Sequence, residues 1–297
     1  MRIVACLNGD RRPGAHPALP VSPDQLTSDA RAVVDAGADE IHIHPRDARG
    51  AESLEPQVLT PLMKALRAAI PGVPISVTTA LSAEPDPWRR YDLVQRWGEM
   101  PDTATVNLHE PGSVEIARLL IDRRVGVEAG LATPDSARIL AATGLAADVV
   151  AALVEPTQVT TKDALANAST IDAVLDRAHI ELPRMLHGAD DTAWPLLDAA
   201  AAAGRDLRIG LEGTMRGPDG NEVDNNAALI ATAVERTAAT RAHAPGACGL
   251  HPAHHHLHRA LPGPHRTRRA RIRGRTTAPR PVRQLKGNAR WRASLRA

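Results

Sequence analysis

The sequence predicts an α/β fold, a (β/α)8 TIM barrel followed by a basic C-terminal tail. Three observations carry that prediction. Short β-rich apolar runs alternate with longer amphipathic stretches along residues 1–244, the pattern of a parallel sheet wrapped by helices. There are eight such units, spaced at roughly the 30 residues a βαβ repeat requires. Almost every apolar run ends in a polar side chain, as strands do at the carboxyl rim of a barrel.

Taken in order, the expected strands are residues 3–7, 40–44, 74–79, 103–108, 125–128, 149–155, 184–187 and 207–212. Each is four to seven residues long and apolar throughout or at alternate positions, so helices fill the gaps between them. Two helix starts carry their own signals: Ser22 with Pro23 and Gln25 forms a capping box, and Thr133 precedes Pro134. An open, doubly wound nucleotide-binding sheet is the rival, but neither G-x-G-x-x-G nor G-x-x-x-x-G-K-[ST] occurs. A length of 297 residues suits a single barrel.

The net charge of +2 conceals two unlike parts. Residues 245–297 hold 12 Arg, one Lys and no acid, a charge of +13, while residues 1–244 hold 23 basic against 34 acidic side chains, a charge of −11. The expected organisation is therefore a catalytic barrel over 1–244 and an Arg/His/Pro-rich, disordered tail over 245–297. Nucleic-acid binding by that tail is disfavoured, because Trp291 is its only aromatic residue. No apolar run is long enough to cross a bilayer and the first residues lack the layout of an export signal, so a cytoplasmic protein is expected. The two cysteines, Cys6 and Cys248, make neither a disulfide framework nor a cysteine-rich zinc knot. A metal would have to be held by His and carboxylate.

In the run EIHIHPRD, His42 and His44 leave the same face of a strand while Ile41 and Ile43 leave the other. The outer face of a barrel strand packs on helices, which assigns it to the isoleucines and turns the imidazoles into the mouth. Hydrogen-bonded core histidines are the competing explanation; the pairing at strand spacing favours a metal. A catalytic zinc needs a third protein ligand. In a closed barrel the eighth strand lies two neighbours from the second, roughly 10 Å away, which makes Glu212 the preferred third ligand and His187 the reserve. Arg208, four residues before Glu212, is expected on the same inward face, and Thr78, Asn107 and Glu128 at the same mouth.

The segments NGDRRPGAHPALPVSPDQL, AGADEIHIHPRDARGAESL, VEAGL and RIGLEGTMRGPDGNEVDNNAALI together resemble the β-keto acid cleavage enzyme family, zinc-dependent barrels of the 3-keto-5-aminohexanoate cleavage type. The likeness spans about residues 1–240. It implies Zn2+ or another divalent metal on His42, His44 and Glu212. It also implies acetyl-CoA as co-substrate, a retro-Claisen conversion of a β-keto acid to acetoacetate and a new acyl-CoA, and a homotetramer. By the same resemblance Arg208 and Glu128 are catalytic, and Thr78 and Asn107 contact substrate. One departure stands out. Where the family follows its ligating glutamate with an aspartate base, this chain has Gly213. Glu128, Asp47 and Asp10 are the candidate replacements, Glu128 first. A metal-dependent barrel hydrolase and a catalytically silent metal-binding barrel remain as alternatives, the first disfavoured because its paired histidines belong on the first strand.

Overall fold

A computed structural model describes the backbone of residues 1–243 and side chains to residue 238; the expected tail at 245–297 lies outside the described residues. Eight parallel strands close in sequence order. They are β1 (Ile3–Cys6), β2 (Glu40–Ile43), β3 (Ile75–Thr78), β4 (Thr103–Asn107), β5 (Gly126–Leu131), β6 (Ala151–Val154), β7 (Arg184–Leu186) and β8 (Asp206–Ile209), and β1 pairs with both β2 and β8. Eight helices cover the outside: α1 (Pro23–Asp35), α2 (Pro56–Ala69), α3 (Pro87–Gln95), α4 (Ser113–Asp122), α5 (Pro134–Thr143), α6 (Thr161–Arg177), α7 (Ala193–Ala202) and α8 (Asn226–His243). The expected barrel is the observed one. None of the described helices is long and apolar enough to cross a membrane.

The expected caps form. Ser22 Oγ accepts from the Gln25 amide while the Gln25 side chain accepts from the Ser22 amide, and Thr133 Oγ1 accepts from the Ser136 amide. Each pairing satisfies donors that an α-helix leaves free in its first turn.

Two apolar assemblies hold the barrel. The larger lies between strands and helices and includes Ile41, Ile43, Val77, Val106, Val127 and Ile209. The smaller comprises Val4, Ala151, Leu153 and Met185, from β1, β6 and β7. Polar groups occupy the rest of the interior. Glu40 is fully buried, yet Arg2 Nη1 and Thr103 Oγ1 both donate to it, at 2.9 and 2.7 Å.

Strand ends differ from expectation where function gathers. β5 runs three residues past Glu128, which therefore lies inside the barrel and not at its rim. β8 stops at Ile209, so Glu212 belongs to the following turn and is not, as expected, the same-face strand neighbour of Arg208. The reason is a close crossing: a Cβ on residue 210 would stand 2.0 Å from the Cys6 carbonyl oxygen, which only glycine avoids. Asn226, at the start of α8, fixes the turn by accepting from the Leu211 amide and donating to the Leu7 carbonyl and to Asp29.

Candidate functional site

The sequence brings His42 and His44 to the mouth by alternation, and local contacts then orient each ring. Asn8 grips the His44 backbone from both sides, donating to its carbonyl and accepting from its amide at 2.9 Å. His42 Nδ1 lies 3.0 Å from Ser76 Oγ, and His44 Nδ1 lies 2.5 Å from Glu52 Oε1. With both Nδ1 atoms engaged outward, both Nε2 atoms turn to Glu212 Oε2, at 3.9 Å from His42 and 3.8 Å from His44. That oxygen is buried and has no hydrogen-bond partner among the described residues. The Glu212 side chain reaches this point over Gly9, whose φ is +53° and where a Cβ would come within 2.4 Å of Glu212 Cγ. Both the backbone and the space demand glycine there.

Among the described residues two trios bring ligand-capable atoms within 4.8 Å of one another: His42, His44 and Glu212, and Cys6, His187 and Glu212. The first fits a divalent cation. Its donors are two nitrogens and one oxygen with no competing partner at the centre, and tetrahedral ligands at zinc bond lengths of about 2.1 Å stand roughly 3.4 Å apart, close to the observed separations. Burial, and then the positive Arg208 beside it, hold the His42 pKa well below that of a free imidazole, which keeps its lone pair available. Burial opposes charge on His44 too, but Glu52 and Glu212 outweigh it and raise its pKa. The second trio fits poorly. Burial pushes the Cys6 thiol well above its ordinary pKa despite the opposing Arg208, and the sulfur already accepts from Arg208 Nε at 3.2 Å. A protonated thiol is not a metal ligand.

Arg208 lies beneath this layer, on β8. It is buried, donates to Cys6 Sγ and through Nη1 to Thr105 Oγ1 at 3.4 Å, and keeps Nη2 without a partner among the described residues. Burial works against its charge, but the Cys6 sulfur that accepts from Nε and the carboxylates of Glu128, Glu212 and Glu155 outweigh burial and raise its pKa. Glu128 is fully buried, and its Oε2 accepts from Ser76 Oγ at 3.2 Å and Thr105 Oγ1 at 3.1 Å. It is joined to His42 through Ser76 and to Arg208 through Thr105.

The remaining expected residues divide. Asn107 lines a cavity of about 400 Å3 with His109, Leu131 and Glu155, its amide donating to Glu110 Oε1 at 3.0 Å. Thr78 is buried at the end of β3, where its hydroxyl accepts from the Ala80 amide and caps the turn. Asp47 is taken up by its own loop, accepting from the Arg49 and Ala51 amides. Asp10 is exposed and lines a second cavity, of about 460 Å3, with Arg11, Arg12 and Glu212; Ala189 and Asp190 border both cavities.

Sequence reasoning missed Glu52, Ser76 and Arg11. Arg11 clamps the Glu212 turn, donating to the carbonyls of Glu212 and Gly213 and to Asp190. Glu52 had a detectable signal, since the turn residues Asp47 and Gly50 fold its strand back on Arg46.

A family profile described as beta-keto acid cleavage enzyme matches residues 1–143 and 158–244. The chain belongs to the β-keto acid cleavage enzyme family. A search of curated proteins returns no match. Solved structures resemble this member of the family in fold. ObcA in a binary complex with oxaloacetate is 13% identical over 74% of this chain and 63% of its own, with a TM-score of 0.58. ObcA in a ternary complex with a C4-CoA adduct and oxalate is 14% identical over 75% and 64%, with a TM-score of 0.59. The 3-dehydroquinate dehydratase from Geobacillus kaustophilus HTA426 is 12% identical over 82% and 91%, with a TM-score of 0.56. The chain thus spans under two thirds of the length of ObcA.

Proposed function

We propose that the barrel, residues 1–244, is a zinc-dependent β-keto acid cleavage enzyme that converts a small β-keto acid and acetyl-CoA to acetoacetate and a new acyl-CoA. The observation that carries this reading is the convergence of His42 Nε2, His44 Nε2 and the unpartnered Glu212 Oε2 above a buried Arg208, in a chain of this family. His42, His44 and Glu212 would hold the cation. A bound zinc supplies a Lewis acid for the oxygens of the keto acid, favouring negative charge beside the carbon that reacts.

The protein's own groups do the rest. Arg208 is a fixed cation in a site with little water, and its field favours an anionic substrate and the charge that develops as the carbon–carbon bond is made and broken. Glu128 holds the Ser76 and Thr105 hydroxyls in place, so it positions His42 and Arg208. Asn107 and the cavity beside it receive the substituent of the keto acid.

The test is a screen of β-keto acids with zinc-loaded protein and acetyl-CoA. 3-Oxopentanoate should give acetoacetate and propionyl-CoA, and the reaction should stop with a chelator and in His42→Ala. Turnover that survives both, or hydrolysis with no acyl transfer, would dismiss the reading.

A further inference from the structure

His187 stands where the missing aspartate would have to be. It follows β7, is 2% exposed, and its Nε2 is buried without a hydrogen-bond partner among the described residues. A Cβ on residue 213 would lie 2.9 Å from that Nε2 and 3.0 Å from the Gly188 carbonyl oxygen. The imidazole therefore occupies the space beside Gly213 that a side chain there would enter. Its position is fixed from behind: the backbone amide donates to the Val154 carbonyl at 3.0 Å, and Nδ1 is 2.9 Å from Glu155 Oε1.

We propose that His187, oriented by Glu155, is the general base of this enzyme, taking the role for which the family's aspartate is absent here. The inference rests on the function proposed above. A carboxylate on Nδ1 holds that nitrogen as the donor, leaves the lone pair on Nε2, and stabilises the imidazolium that forms when Nε2 takes a proton. Glu155 forms part of the wall of the 400 Å3 cavity, and a ring nitrogen of His187 lies within 4.8 Å of a Glu212 carboxylate oxygen, so the dyad stands between that cavity and the His42, His44 and Glu212 trio. The other candidates are less well placed. Glu128 lies inside the barrel with Oε2 taken by two hydroxyls and only Oε1 unpartnered, Asp47 is bound by its own loop, and Asp10 is exposed on the second cavity.

The proton account closes. His187 Nε2 takes a proton from the carbon between the keto and carboxylate groups, and the C–H electron pair attacks the acetyl carbonyl, expelling the CoA thiolate. That thiolate adds to the original keto carbon and the bond between that carbon and the deprotonated carbon breaks, giving the new acyl-CoA and the enolate of acetoacetate. The imidazolium returns its proton to the same carbon. No net proton, oxidant or reductant is needed.

The experiment uses the full zinc-loaded chain with 3-oxopentanoate and acetyl-CoA, and follows product formation together with exchange of the substrate's C2 hydrogens into D2O by NMR. His187→Gln should lower kcat and the enzymic exchange rate by about 10² to 10⁴, the usual loss for a positioned base, with KM and zinc content within about twofold of wild type. Imidazole added to His187→Ala should restore part of both rates. Glu155→Gln, a variant that leaves the histidine in place, should lower both by about tenfold. Exchange and turnover within about threefold of wild type in the folded His187 variants would overturn the base assignment and leave the proposed function standing. So would loss of zinc in proportion to activity, which would make His187 a ligand. A wild-type protein that neither exchanges nor cleaves 3-oxopentanoate would overturn both.

Discussion

Glu52 offers the sharpest test of how the candidate metal ligands are oriented. Its Oε1 sits 2.5 Å from His44 Nδ1, both side chains are only 9% exposed, and Ser82 Oγ adds a second donor at 3.3 Å. The carboxylate therefore holds His44 with Nδ1 as donor and Nε2 turned to Glu212. Removing such a partner behind a ligating histidine typically weakens metal binding by about 10- to 100-fold, roughly 1.4 to 2.7 kcal/mol. Glu52→Ala should therefore raise the zinc Kd by that factor. Glu52→Gln keeps an acceptor oxygen and loses only the charge assistance, so about threefold to tenfold is expected. Competition against a chromophoric chelator measures both, with urea denaturation of the metal-free proteins alongside to register any loss of fold stability. A Glu52→Ala protein that is less stable but binds zinc within about twofold of wild type would refute the reasoning, since the contact would then serve the 46–52 loop and not the ligand.

Other perturbations probe the frame. Arg208→Met leaves Glu128 buried without its cation and should destabilise the protein by about 3 to 5 kcal/mol in urea denaturation; a loss under about 1 kcal/mol would contradict the buried charge network. Gly210→Ala places a Cβ 2.0 Å from the Cys6 carbonyl oxygen and should cost at least about 3 kcal/mol and weaken zinc binding through displacement of Glu212; native stability in that variant would contradict the crossing. Asp29, at Asn226, has its pKa raised by burial to about 6, although the Asn226 hydrogen bond opposes the shift. The native state then holds the proton more tightly than the unfolded chain, so this group's contribution is most favourable below about pH 4, falls as pH rises to about 6, and is flat above, a change of at most about 3 kcal/mol. Asp29→Asn should remove that decline, and an unchanged stability difference between wild type and variant from pH 4 to 7.5 would count against it.

The barrel was readable because parallel strands covered on their outer face must be apolar there, and residues such as Ile41, Ile43, Val77 and Val127 announce that face in the sequence. The first metal trio was readable for a related reason: strand alternation fixes where His42 points, and barrel closure fixes which strand lies two away. What the sequence could not supply was depth. Whether a strand ends at residue 128 or at Leu131 decides whether Glu128 meets substrate or two hydroxyls, and that boundary depends on pairing with β4 and β6 at Asn107 and Val154. Glu52 and Arg11 escaped because both act across loops, where no period relates sequence position to space. His187 was seen only as a reserve ligand, since its relation to Gly213 is a contact between the ends of β7 and β8.

Charge balance links the candidate metal trio to the proposed base. Four carboxylates, Glu52, Glu128, Glu155 and Glu212, face two buried cations, Arg46 and Arg208, which leaves an excess of two negative charges around the site. Glu40 and Glu110 do not add to this excess, because Arg2 and Arg90 pair with them directly. Cys6 does not add to it either, as its thiol stays protonated. A divalent cation on His42, His44 and Glu212 cancels the excess of two, whereas a monovalent one would leave the site anionic and repel a β-keto carboxylate. An aspartate at position 213 would add one more carboxylate to the same site and return the balance to −1. On the proposed assignment His187 takes a substrate proton without adding a further carboxylate to the site, which makes the glycine at 213 and the histidine beside it two parts of one electrostatic arrangement. The two hypotheses therefore share a test: in zinc-loaded protein Gly213→Asp should weaken binding of an unreactive β-keto acid analogue, and the same substitution combined with His187→Ala should recover turnover relative to His187→Ala alone, because only then do both the space and the base role pass to the aspartate.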